Sequence, residues 1–228
     1  MSIEMEAQTP PNQTRPHCQN IAPPSSSAAR LWRPAAQRNL RNQGSKLNSL
    51  RYDWHSAASA GRSHATAIVN SYLSQKHMDD VEFGVLSDIP NIRKKASAKL
   101  FRQQELDRGK LLKTYKDMVE VLTDMFRICK STSDCGDCGG IPVFTFCSIA
   151  SFEELALEID RTFLSELNLK KLQLKYFKHV IETAADSNVL QIYMTAWLAE
   201  ANIDKCRIEE IFGIGGGEMR VDFLETSA

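Results

Sequence analysis

The chain contains no run of 18 apolar residues, so no membrane-spanning helix is expected. It has no G-x-S-x-G elbow, no kinase signature, no dinucleotide fingerprint and no His-Glu-x-x-His helix. With those patterns missing, nothing in the residues argues for an enzyme, a metal site or a cofactor. The N-terminal MSIEMEAQTPPNQ lacks the basic and apolar regions of a secretory signal. The expected location is therefore the nucleus or cytoplasm, where cysteines stay reduced. Cys18, Cys129, Cys135, Cys138, Cys147 and Cys206 are scattered through the chain and suggest no disulfide framework.

Hydrophobic content of 43% and charged content of 25% are those of a soluble globular protein. The net charge of zero hides an asymmetry. Residues 1–78 hold nine Lys/Arg against three Asp/Glu, and residues 132–228 hold eight against sixteen. A basic front and an acidic back imply either internal pairing or separate partners for the two ends.

The strongest positive signal lies between Leu111 and Cys129. Leu111, Tyr115, Met118, Leu122, Met125 and Cys129 recur at alternating spacings of four and three. Such a seam requires another helix against it. Residues 1–29, with five of the eight prolines and the serine run Ser25–Ser27, read as a disordered tail. Residues 30–130 read as two long helices, the first from near Ser27 or Pro34 to about Gln75, with a bend or break expected at Gly44 or Gly61. Leu40, Leu47, Leu50, Trp54, Ala57 and Ile68 form its approximate heptad, and Trp32 and Trp54 are large enough to anchor a partner. Asp88 is the expected N-cap of the second helix, with Pro90 in its first turn.

Residues 131–142 read as a Gly/Cys loop, followed by an apolar plug, Val143–Phe146. Residues 143–213 read as a smaller helical part. A Ser151/Glu154 capping box opens its first helix, and a register shift near Asn168–Lys170 allows a kink or a break. A further helix follows Ser187, and a short one from about Asp204 ends at Gly213, leaving 214–228 as a flexible tail. The Cys135-Gly136-Asp137-Cys138 pair lacks the second pair that a zinc knuckle needs, and it lacks the strand–helix context of a redox motif. The glycine run Gly213–Gly217 lacks the strand and the Lys-Ser/Thr pair of a phosphate loop.

Three stretches, RNLRNQGSKLNSLRYDWHSAASAGRSHATAIVNSYLS (38–74), VLSDIPNIRKKASAKLFRQQE (85–105) and GGIPVFTFCSIASFEELALEI (139–159), resemble a plant-specific family of helical proteins sometimes labelled spindle/kinetochore-associated. The resemblance covers most of residues 30–165 and implies a helical protein linked to spindle, kinetochore or chromosome. It brings no catalytic or binding motif with it.

The expected fold is all-α, an elongated helical bundle with coiled-coil-like long helices and a disordered N-terminal tail. The expected function is a non-catalytic scaffold that meets other helical proteins, or itself, through a partner-binding seam of Leu111, Tyr115, Met118, Leu122 and Met125. The alternative is a module that binds nucleic acid or the acidic microtubule surface through a basic strip of Arg38, Arg41, Lys46, Arg51, Arg93, Lys94, Lys95 and Lys99. A clustered basic face would favour the alternative, and dispersal around the helices would favour the scaffold.

Overall fold

The computed structural model describes residues 26–133, 142–182 and 187–225. Within them run five helices: α1 (Ser26–Lys76), α2 (Ile92–Ser133), α3 (Ile149–Glu182), α4 (Ser187–Ala199) and α5 (Lys205–Glu225). Among the described residues there is no strand, only an isolated bridge between Pro142 and Ser148. The fold is all-α. At 1.5 Å rise per residue, the 51 residues of α1 span about 75 Å, which makes the bundle elongated.

Helices α1 and α2 form a hairpin in which Gln43 of α1 reaches Ser131 near the end of α2, and α3 packs beside them. Its first residues, Ile149 and Phe152, pack with Ala36 and Leu40 of α1, and Phe177 near its end packs with Ile68 and Tyr72. So α3 runs parallel to α1 and antiparallel to α2. Helix α4 then caps the far end, and α5 returns beside α1, where Ile208 and Ile211 join Leu47 and Trp54 in the main core.

Of the bend or break expected in α1, no break occurs. The helix is continuous through Gly44 and Gly61, and Gly61 has a tertiary reason. A Cβ there would lie 2.8 Å from Cζ2 of Trp197, so the missing side chain is the space that Trp197 occupies. Trp54 is fully buried and packs edge-on against Phe163 at 5.0 Å, so it is a core residue rather than an exposed anchor.

Between α1 and α2 the chain makes 3-10 turns at Met78–Asp80 and Gly84–Asp88. Asp88 belongs to the second turn and does not cap α2. The reversal is made instead at Asn91, whose φ of 60° is left-handed and whose carbonyl accepts from the Lys95 N–H. Arg93 holds this connector. It donates to the carbonyls of Met78, Asp79 and Val81, and its guanidinium lies over the Phe83 ring.

Only the first half of the expected plug is buried: Phe146 is 82% exposed, whereas Val143 and Phe144 pack fully buried against Ala36, Leu40 and Phe152. Arg33 donates to both of their carbonyls at 2.9 Å, and Gln37 donates to that of Val143 at 2.8 Å. This satisfies a backbone that has no ladder of its own. The start of α3 differs from the capping box. Ser148 accepts from the Ser151 N–H at 3.2 Å and is the cap, one turn earlier than expected. Helix α3 runs unbroken past residue 168, because polar residues continue the buried face there. Leu172, beside that face, is exposed. Asp204 caps α5 through the Arg207 N–H, and α5 runs on through the glycine run to Glu225 instead of ending at Gly213. Residues 214–225 are therefore helical.

Two glycine replacements separate tertiary from local effects. Gly61→Ala should destabilise by about 1–3 kcal/mol despite alanine's higher helix propensity, because Trp197 is displaced. Gly109→Ala, where nothing lies within 4 Å of the new Cβ, should stabilise by about 1 kcal/mol. Urea titrations of the two variants check both signs.

Candidate interaction surface

The residues marked by the sequence as a partner-binding seam are occupied by the chain's own helices. Leu111, Met118, Leu122, Met125 and Cys129 are buried, and Tyr115 is half-buried. Met118, Leu122 and Met125 share one core with Leu47 and Trp54 of α1 and with Ile159, Phe163 and Leu167 of α3. Leu111 joins the neighbouring core with Ala65, Ile68 and Trp197. The period of the seam is as expected, but its partner lies within the same chain.

Beside it lies a feature that the sequence pattern did not separate from the seam. Phe101, Leu112, Val119 and Phe126 are 53, 48, 37 and 53% exposed. The last three are seven residues apart, and Phe101 lies eleven before Leu112. At about 100° per residue the four fall on one narrow stripe, roughly 80° around α2 from the seam and about 38 Å long. Both rows have heptad spacing, so their period alone could not show which one faces the core.

The basic residues do not form a strip. Since α1 and α2 are antiparallel, Arg93, Lys94, Lys95 and Lys99 sit at the hairpin turn, and Arg38, Arg41 and Lys46 sit toward the opposite end. Lys94, Lys95, Lys99, Arg38 and Lys46 are exposed, and they are divided between the two ends of the hairpin. Three of the eight are engaged inside the molecule. Arg93 ties the connector, Arg41 lies 5.3 Å from the Phe144 ring, and buried Arg51 pairs with Glu209 at 2.7 Å. By the criterion of clustering, this dispersal favours the scaffold over the basic-strip module.

The sequence did not single out the charged cluster that docks α4. Glu166 and Lys170, one helical turn apart on α3, are both fully buried, with Lys170 Nζ 2.8 Å from Glu166 Oε1. Lys170 also donates to the carbonyl of Trp197 and lies 4.9 Å from its ring. Asn202 donates to Glu166 through its backbone N–H at 3.0 Å and its amide at 3.1 Å. Nearby, Trp54 Nε1 donates to buried Glu200 at 3.3 Å, in a turn where Glu200 has a φ of 46°. The available signal was positional. Glu166, Lys170 and Gln173 continue the i+3/i+4 face of Ile159, Phe163 and Phe177, so polar residues on a core face marked an internal lock.

Among the described titratable groups, burial pushes the Cys129 thiol up to about 12, with nearby Asp160 adding to the effect. The thiol donates to the Ala156 carbonyl at 3.3 Å. Burial raises Asp160 as well. Glu158 is held below the usual carboxylate range by its hydrogen bonds from Arg207, at 2.7 and 2.8 Å. Asp107 is lowered too: burial alone would raise it, but bonds from Gln103 and Lys110 outweigh that. Among the described residues no group of three His, Cys, Asp or Glu is placed to hold a metal ion, and no helix is long and apolar enough to cross a membrane. Cys135 and Cys138 lie outside the described residues. No family model matches the chain, and a search of curated proteins gives no match.

Replacing Lys170 with Ala should cost about 3–5 kcal/mol, since it strands a buried carboxylate. The double replacement Glu166→Leu/Lys170→Met should recover most of that loss, as both orphaned charges vanish together. Denaturant unfolding of the single and double variants measures the difference. The cysteines should also differ in reactivity. At mildly alkaline pH iodoacetamide should alkylate exposed Cys206 in the native protein and spare Cys129 until unfolding, because a buried neutral thiol is a poor nucleophile. Peptide mapping by mass spectrometry reads the two sites separately.

Proposed function

We propose that this protein is a non-catalytic helical scaffold that binds an acidic amphipathic helix of a partner along the outer stripe of α2. The observation that carries this reading is the stripe itself: Phe101, Leu112, Val119 and Phe126 in water on a helix whose own seam is already filled. Heptad spacing suits a partner helix, which would pack knobs into holes along it. Charge supports an acidic partner, because α2 carries eleven Lys/Arg against five Asp/Glu. A link to spindle, kinetochore or chromosome, and a nuclear or cytoplasmic location, rest on the resemblance described above. A nucleic-acid- or microtubule-binding role for the basic residues is the weaker reading, since those residues are dispersed.

The test is cross-linking mass spectrometry of the native protein with its co-purifying partners. Cross-links from Lys113, Lys116 and Lys130 of α2 to acidic helical segments are expected. The double variant Val119→Glu/Phe126→Glu should lose them, with the melting temperature shifted by no more than about 2 °C because both side chains are exposed. Partners retained by that variant, or cross-links to a second copy of this chain, would overturn the assignment. Loss of partners only when Arg93, Lys94, Lys95 and Lys99 are changed to Glu would favour the basic residues instead.

A further inference from the structure

A cavity of about 510 Å³ opens where α1, α3 and α5 meet. Its walls are apolar, supplied by Leu47, Phe152, Leu155, Ile159, Ile211 and Phe212. Gly44 of α1 and Gly213, Gly215 and Gly216 of α5 also line it. A Cβ built at any of those three α5 glycines meets nothing within 4 Å, so the glycines leave this space open. The volume falls in the range of small-molecule sites, which pair apolar walls with a few fixed polar groups.

The polar groups are unusual for such a space. Two arginines, Arg41 and Arg51, and one carboxylate, Glu209, line it, so its charged lining sums to one net positive charge. Arg51 is only 7% exposed. Its Nη1 is held by Glu209 at 2.7 Å, and its guanidinium lies 4.7 Å from the Phe212 ring and 5.2 Å from the Tyr52 ring. The Nε proton of this fixed group has no acceptor among the described residues and is shut off from solvent, so it adds to the cost of burying the group and is not a donor open to the cavity. A buried donor without an acceptor is costly, and a planar guanidinium fork matches a carboxylate.

We infer that this cavity binds a small carboxylate with an apolar body, its carboxylate on Arg51 and its apolar part against Phe152, Leu155 and Ile159. The net charge selects a monoanion, since a dianion would leave one charge uncompensated among apolar walls. Glu209, whose side chain is 70% exposed, holds Arg51 in place when the cavity is empty and competes with the ligand for it. This site is separate from the α2 stripe and stands whether or not the scaffold reading does.

The probes are 1-naphthoate and its neutral isostere 1-naphthamide, titrated calorimetrically into the full chain at neutral pH. One saturable site is expected, with naphthoate at least about tenfold tighter than naphthamide. Glu209→Gln should strengthen naphthoate binding about threefold or more by releasing Arg51. Gly216→Leu, which has room for its side chain and raises helix propensity, should weaken naphthoate at least about tenfold without lowering the melting temperature. Arg51→Met should abolish the preference for the acid over the amide. Because the glutamate and glycine variants keep Arg51, their readouts do not depend on the arginine variant folding. Equal binding of acid and amide, no saturable binding at millimolar probe, or wild-type affinity in Gly216→Leu would overturn the inference.

Discussion

Helix α2 has one face that cannot stay in water: Leu111, Met118, Leu122, Met125 and Cys129. At about 25 cal/mol per Å² of apolar surface, covering that face is strongly favourable. Helix α1 covers one side of it and α3 the other. The two long helices therefore lie antiparallel, the chain re-enters through the Val143–Phe144 plug, and α3 is laid down parallel to α1. The later helices then close what the first three leave uncovered. Trp197 of α4 fills the notch at Gly61, and α5 covers the end of the core near Leu47.

The lock between α3 and α4 is electrostatic in a place where electrostatics is expensive. Removing a lysine and a glutamate from water costs several kcal/mol each, so the pair at Glu166 and Lys170 is tolerable only because its remaining donors and acceptors are met. Asn202, the Trp197 carbonyl and the Trp197 ring supply those contacts. Such a pair contributes little net stability compared with well-packed leucines, but it accepts only one docking of α4 and of the turn behind it. That geometry also sets where α5 begins, and so where Glu209 meets Arg51 and where the cavity between α1, α3 and α5 opens. Two features of the molecular surface, the stripe on α2 and that cavity, are thus consequences of how the interior was closed.

Much of this architecture was legible in the residues. The period of the seam, the length of α1, the burial of Val143 and Phe144 and the start of α5 near Asp204 all rest on interactions between residues close in sequence, or on the simple need to hide apolar side chains. The places where reading failed share a cause. Gly61 looked like a helix breaker because its partner, Trp197, lies far along the chain. The α3 register looked broken because Glu166 and Lys170 are polar, although they point inward. The α5 helix looked finished at Gly213 because glycine usually ends a helix, yet here the helix runs on, with Gly215 and Gly216 half-buried beside the cavity.

The sequence by itself determined that the chain is helical, that α2 carries an apolar seam, and that its charge is divided between a basic front and an acidic back. Those properties follow from spacing and composition, which local geometry translates directly into helix faces. Only the tertiary structure decided that the seam is satisfied within the chain, that Phe101, Leu112, Val119 and Phe126 are the row left in water, and that the basic residues are dispersed. It also decided that Arg51 is buried beside a cavity. The physical reason is that a heptad row states a need for burial without naming its partner. Which of two neighbouring rows is covered depends on side chains distant in sequence, such as Trp54 of α1 and Phe163 of α3, which share the core with Met118 and Leu122.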